Sequence, residues 1–247
     1  MTYHLSATLA TSGRVLKQLG HDHRSLAMIF FVPPVLLALL YWLYIDNDQL
    51  FNYVGVSLLG VFPLVIMFLI TSIATLRERT SGTLERVMSM PISRVDFVFG
   101  YAIAFGVLAV VQALIASSVA LYLLGLDIAG PSWLLIVIAL VDAWLGMALG
   151  LLISAFAHNE FQAVQFMPVV IFPQFFLCGL LMPLDKMPDT LSFIAHFVPM
   201  TYAVEALQNI GTESAVSAQS WRDLIIVVVI VVAAVLLGAT TLRRSTK

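Results

Sequence analysis

The sequence predicts an all-α, polytopic membrane protein with six transmembrane helices. Three observations carry this. Of 247 residues, 61% are hydrophobic and only 11% are charged, whereas a soluble domain averages about 45–50% apolar and about 25% charged. One water-soluble core cannot hide that much apolar surface. Six apolar runs reach the roughly 20 residues that a helix needs to cross the hydrocarbon layer. No segment of suitable length alternates with period two, as a transmembrane β-barrel would require. The net charge of −2 gives no reason to expect a nucleic-acid partner. The single cysteine, Cys178, excludes an intrachain disulfide and reads as a packing residue in an apolar run.

The chain reads as one transmembrane domain over residues 1–247. Residues 1–25 come first, with Leu5, Leu9, Leu16 and Leu19 spaced among Thr, Ser, Arg and Lys. This suits an amphipathic helix lying in the membrane interface, the alternative being a loose polar tail. His21 and His23 flank Asp22; an H-x-H pair can ligate a metal, but a solvated turn is the plainer reading, and no metal site is expected. The spans then run at about 26–45, 54–76, 97–125, 132–156, 161–183 and 224–242. The first is too long for a signal peptide, follows a polar segment and lacks a small-residue cleavage site. Pro33 and Pro34 bend span one, and Pro63 bends span two.

Span four carries Asp142, an acidic residue near its centre, where an ionised side chain costs about 2.5–3.5 kcal/mol on insertion scales. Asp142, Gly146, Gly150 and Ser154 form an i+4 row whose small residues let another helix approach. Asp142 should therefore face protein, either in an interhelical hydrogen bond or in handling a proton or substrate. Span five holds Pro168, Pro173, Gln165 and Gln174 beside Phe172, Phe175 and Phe176. Broken helices at this depth pack against protein or line a cavity, so the phenylalanines form either a packed cluster or the wall of an apolar substrate path.

Orientation follows from Lys and Arg. Arg14, Lys17, Arg24, Arg77, Arg79, Arg86, Arg94, Arg243, Arg244 and Lys247 fall on one side and only Lys186 and Arg222 on the other. The ten-residue side is expected to be cytoplasmic, with both termini there. Trp42, Trp133 and Trp221 fall at the predicted outer ends of spans, and the outer loops carry Asp46, Asp48, Asp127, Asp185, Asp189, Glu213 and Asp223.

Between spans two and three lies a charged island, RERTSGTLERVMSMPISR, residues 77–94. Gly82 can open a helix, and Glu85 suits its positive end. Leu84, Val87 and Met88 share one face, Pro91 stops the helix, and Ser93 with Asp96 resembles a capping box opening span three. The residues leave open either a surface connector anchored to lipid phosphates or a docking knob for a cytosolic partner.

The island together with VDFVFG resembles the E-R-E-x-G-T-L-E-R-L…P-I-S-R segment of type-2 ABC transporter permeases, the membrane subunits of drug, lipid and polysaccharide exporters, daunorubicin-resistance proteins among them. A second block, CGLLMPLDKMPDTLSFIAHFVPMTYAVEALQNIG at 178–211, resembles that family's segment after span five. The matching positions are Gly179, Pro183, Met187, Pro188, Pro199, Thr201, Tyr202, Val204 and Leu207. Gln208 stands where an Arg is common and Tyr101 where a Lys is common. The resemblance implies that the island is a coupling helix seated in an ATP-binding subunit. Its contacts would be Glu78, Arg79, Gly82, Thr83, Leu84, Glu85, Arg86, Val87 and Met88. It also implies short re-entrant helices over 184–210, capping the path in the outer leaflet. The substrate path would use Asp142, Gln165, Phe172, Phe175 and Phe176.

This chain is not expected to be an enzyme or to bind a cofactor. Its only lysines are Lys17, Lys186 and Lys247, and none follows a Gly-rich phosphate loop. No H-E-x-x-H or G-x-S-x-G is present. ATP and Mg would sit on a separate P-loop subunit in two copies, beneath two permease chains, either a homodimer or a pair of paralogues, in a bacterial cell membrane. The cargo would be amphipathic or apolar and leave by alternating access. A proton-coupled transporter using Asp142 and a non-transporting assembly protein are the alternatives.

Overall fold

The computed structural model describes residues 2–81 and 93–241. Its elements are α-helical apart from one π-helical turn and one short 3₁₀ turn.

Helix α1, Thr2–His21, confirms the N-terminal helix. Its packed face is not simply the leucine stripe. Thr8, Thr11, Ser12, Val15 and Leu19 are buried, while Leu5 and Leu9 stay exposed. Small side chains bring α1 close to the long helix Arg94–Ser118, where a Cβ on Gly100 would lie 2.7 Å from Thr11. Asp22 ends α1 and caps α2, His23–Leu43. Its carboxylate accepts from the Ser25 amide at 3.2 Å and the Ser25 hydroxyl at 2.8 Å, and these bonds hold its pKa below the usual carboxylate range. The turn between His21 and His23 is thus a helix cap. In α2 only Ile29, Pro33 and Leu37 are buried, a single i, i+4, i+8 stripe. Phe31, Val35, Leu39 and Trp42 point outward.

Helix α3, Asp48–Thr80, is 33 residues long, about 50 Å at 1.5 Å per residue. It starts earlier and ends later than its apolar run because Asn47 caps it, accepting from Leu50 N at 3.1 Å, and because the Arg77–Arg79 turn finds partners inside the protein. It is the axis of the bundle and packs against every other long helix except α1 and the last. Helix α4, Arg94–Ser118, opens on the predicted capping box of Ser93 and Asp96 and ends in the π-helical turn Val119–Leu123. Helix α5, Ser132–Ser154, lies along α3. The i+4 row makes this contact. A Cβ on Gly146 would run into the Leu64 carbonyl, and one on Gly150 would sit 2.6 Å from the Phe68 carbonyl.

Helix α6, Glu160–Leu177, ends six residues before the limit expected for span five. Gly179 adopts φ +89°, a backbone that glycine tolerates, and turns the chain. The 3₁₀ turn Leu184–Lys186, helix α7 (Asp189–Ala195) and helix α8 (Pro199–Thr212) follow. Helix α9, Ala218–Thr241, closes the described chain.

Among the described residues five helices are long and apolar enough to cross a membrane: α2, α3, α4 with its π turn, α5 and α9. The α7–α8 pair, bent by 92°, could make a sixth. Helix α6 is about 27 Å long and carries Glu160, Gln162, Gln165 and Gln174. It starts beside Arg77 at the Arg-rich end of α3, while α9 starts beside α5 at the opposite end, where Trp133 and Trp221 stack with centroids 6.5 Å apart. The segment from α6 to α8 therefore carries the chain from one end of the bundle to the other, as a fifth span requires.

Candidate functional site

The last turn of α3 puts three consecutive charged residues, Arg77, Glu78 and Arg79, on three sides of the helix, since each residue turns the direction by about 100°. Each meets a different partner. Arg77 donates bidentately to Glu160, the first residue of α6, at 2.9 and 3.2 Å. Glu78 is buried and accepts from Arg14 of α1 at 2.6 Å. Arg79 donates to the carbonyl of Ser154, where α5 ends. Arg14 also reaches the Tyr101 hydroxyl of α4 at 3.4 Å. An ionised carboxylate is costly to bury unless paired, so the Glu78 pair helps α3 continue beyond its apolar run.

The far side of the island is tied to the same helix. Asp96 completes the capping box with Ser93 and also meets His4 Nδ1 at 3.0 Å. Helix α1 thus straps both stems, through Arg14–Glu78 on one and His4–Asp96 on the other. Gly82, Thr83, Leu84, Glu85, Arg86, Val87 and Met88, the coupling residues implied by resemblance, lie outside the described residues. Glu78 and Arg79, named with them, face partners within the chain. Sequence reasoning missed these ties. The signal was available, because a carboxylate and two guanidinium groups ending an apolar helix need partners, and Arg14 and Glu160 were free to supply them.

Asp142 is 1% exposed. As the i+4 row predicts, it faces protein, with Oδ2 against the Cα of Gly60 in α3, a spot that Leu207 of α8 also crowds. Its Oδ1 has no hydrogen-bond partner among the described residues. The other residues named for the path do not gather around it. Gln165, Phe172 and Phe176 lie on the exposed face of α6. Phe175 is half-buried and packs edge-on against Phe176 at 6.1 Å. Gln174, on the buried face, donates to the Val170 carbonyl at 2.9 Å.

The outer-cap residues do have one shared task. Pro183 leads into the 3₁₀ turn, Met187 is buried, and Pro188 precedes α7. Pro199 starts α8, where a missing N–H costs nothing. Thr201 then donates to the Ala195 carbonyl at 2.8 Å, and Tyr202 to the His196 carbonyl at 2.7 Å. The two hydroxyls cap the end of α7 and hold the 92° corner.

These features define a class: a multi-pass α-helical membrane protein whose Arg-rich end is braced around a short charged segment. The chain belongs to the ABC-2 type transporter family, whose model matches residues 7–211. It is similar to ABC transporter G family member 20 of Dictyostelium discoideum, 27% identical over 164 residues, covering 66% of this chain and 22% of the relative. It is similar to the "probable multidrug ABC transporter permease YbhS" of Escherichia coli, 28% identical over 147 residues, 59% of this chain and 39% of the relative. The linearmycin resistance permease protein LnrN of Bacillus subtilis is 24% identical over 135 residues, 55% of this chain and 35% of the relative. The matches thus span well under half the length of these relatives.

Proposed function

We propose that this chain is the membrane permease subunit of an ATP-driven exporter that moves an amphipathic or apolar substrate out of the cell. The observation that carries the reading is the bracing of both stems of the 82–92 segment. Arg77, Glu78 and Arg79 link α3 to α6, α1 and α5, and Asp96 links α4 to α1. A push on the segment would move five helices together rather than bend one loop. A separate P-loop subunit, in two copies holding ATP and Mg, would deliver that push through Leu84, Glu85, Val87 and Met88. A second permease chain, a copy or a paralogue, would meet the exposed faces of α2 and α6, where Phe31, Leu39, Phe172 and Phe176 point away from the bundle. Both termini would be cytoplasmic, in a bacterial cell membrane. Family membership and the names of relatives, two of which mention multidrug transport or linearmycin resistance, support export of an apolar or amphipathic cargo.

The test is copurification with a candidate P-loop ATPase subunit. Leu84→Asp with Glu85→Ala should release the ATPase and abolish ATP-dependent transport while leaving membrane insertion intact. Undiminished copurification and transport would refute the reading.

A further inference from the structure

At the end of the bundle opposite the Arg77–Arg79 turn, a cleft of about 430 Å³ opens between the start of α3, the loop after the π-helical turn, and the end of α8. Its walls are Gln49, Asn52, Tyr53, Asp127, Gln208 and Thr212, over an apolar floor that includes Val56 and Ile128. The cleft is held in shape. The loop is strapped to α8 by Ala129 N donating to the Gly211 carbonyl at 3.1 Å and Gly130 N to the Ile210 carbonyl at 2.9 Å. It is tied to α3 by Asp127 N donating to Asn52 Oδ1 at 3.1 Å. The approach needs glycine, since a Cβ on Gly130 would lie 2.8 Å from the Ile210 carbonyl.

These bonds sort the remaining polar atoms. Asn52 accepts through its oxygen, so its amide N–H groups are left to donate. Gln208 Nε2 donates to the Tyr53 hydroxyl at 3.3 Å, which leaves Gln208 Oε1 to accept and the Tyr53 O–H to donate. The Thr212 hydroxyl donates to the Gln208 carbonyl at 2.9 Å and can still accept. Asp127 contributes an accepting carboxylate. The cleft therefore offers both donors and acceptors, beside an aromatic ring. Among the described residues no Lys, Arg or His lines it, and the Asp127 carboxylate disfavours an anion. One carboxylate is too few for a dedicated divalent-cation site. Adjacent hydroxyls, each of which donates and accepts at once, match this wall. We propose that the outer cleft binds a neutral polyhydroxylated group, the sugar or polyol portion of a free glycan or of a glycolipid headgroup.

The test uses the full chain in phosphatidylcholine nanodiscs, without any ATPase, so its failure leaves the exporter reading untouched. Saturation-transfer NMR would monitor maltose in solution and, separately, a monoglucosyl diacylglycerol doped into the disc. Saturable transfer is expected, with affinity falling about tenfold or more in Asp127→Ala, since hydrogen bonds to a charged acceptor are stronger than neutral ones. Gln208→Leu should weaken binding similarly, and Thr190→Ala, away from the cleft, should not. Transfer to maltose identifies a free glycan as the source, and transfer to the glucolipid alone a membrane headgroup. No saturable transfer to either, or equal binding in wild type, Asp127→Ala and Gln208→Leu, would overturn the proposal.

Discussion

Arg14 and Glu78, 64 positions apart, meet at 2.6 Å and join the N-terminal helix α1 to the end of the axial helix α3. The pair is asymmetric: the Glu78 side chain is 5% exposed and that of Arg14 36%. Removing Arg14 strands a buried carboxylate, whereas removing Glu78 leaves a cation that reaches water. Arg14→Ala should therefore destabilise the protein more than Glu78→Gln, by about 1–3 kcal/mol against under about 1 kcal/mol, below the cost of breaking a fully buried pair because solvent screens Arg14. Thermal unfolding in detergent measures the difference. ATP-dependent transport should fall in both variants and recover partly in the double exchange Arg14→Glu with Glu78→Arg. Equal stability in the two single variants would contradict the asymmetry.

Gly146 on α5 is not equivalent to Gly106 on α4. A Cβ at position 146 would collide with the Leu64 backbone, which cannot move without shifting α3, whereas one at Gly106 would meet only the Trp144 indole nitrogen at 3.6 Å. Gly146→Ala should cost about 1–3 kcal/mol, the usual penalty for overpacking, and Gly106→Ala almost nothing. Denaturant unfolding of the two variants side by side would show this contrast, and similar midpoints would mean that α3 and α5 pack less closely than described.

Much of this fold was legible in the sequence, for physical reasons. Apolar runs set the spans because lipid demands them, and the Asp142–Gly146–Gly150–Ser154 row identified the face of α5 that meets a helix, because only small residues allow such an approach. The capping box at Ser93 and Asp96 was legible because it is local. The ends of α3 and α6 were not. Hydropathy cannot see that Arg77 and Glu78 are neutralised by residues 83 and 64 positions away, so it stops α3 too early. Nor does it register Gly179, whose positive φ ends α6 inside an apolar stretch. Thr201 and Tyr202 were named by resemblance alone. Their role in closing the corner between α7 and α8 depends on carbonyls six residues away that no local pattern marks.

Orientation gives a third prediction. From the ten-to-two distribution of Lys and Arg, the Arg77–Arg79 turn is expected inside the cell and α7 outside. Ser81 and Thr190 are both exposed. With Cys178, which is buried, replaced by Ala, a cysteine at Ser81 should react with an impermeant maleimide only in inside-out vesicles, and one at Thr190 only in intact cells. Labelling of both from one face would remove the odd number of crossings between them.

Asp142 decides between ATP-driven export and proton coupling. Its carboxyl is sealed between α3 and α5, with Oδ2 against Gly60 and Oδ1 without a partner among the described residues. A proton carrier needs a route of polar groups or water to both sides, yet the side chains flanking Asp142 on α5, Ile138, Ala139, Val141, Ala143, Leu145 and Gly146, are apolar or absent. The remaining contribution is packing plus modest polar contact, and interhelical polar contacts in membranes average about 0.6 kcal/mol. Asparagine has nearly the same shape and keeps the polarity without a titratable group. Asp142→Asn should therefore retain most transport into inside-out vesicles, still requiring ATP and indifferent to collapse of the proton gradient. A carboxyl that carries the coupling proton predicts the opposite, because asparagine cannot titrate and gradient-driven transport must stop. A folded but inactive Asp142→Asn protein, in vesicles where a proton gradient alone drives the wild type, would replace the ATP-driven reading with the proton-coupled one.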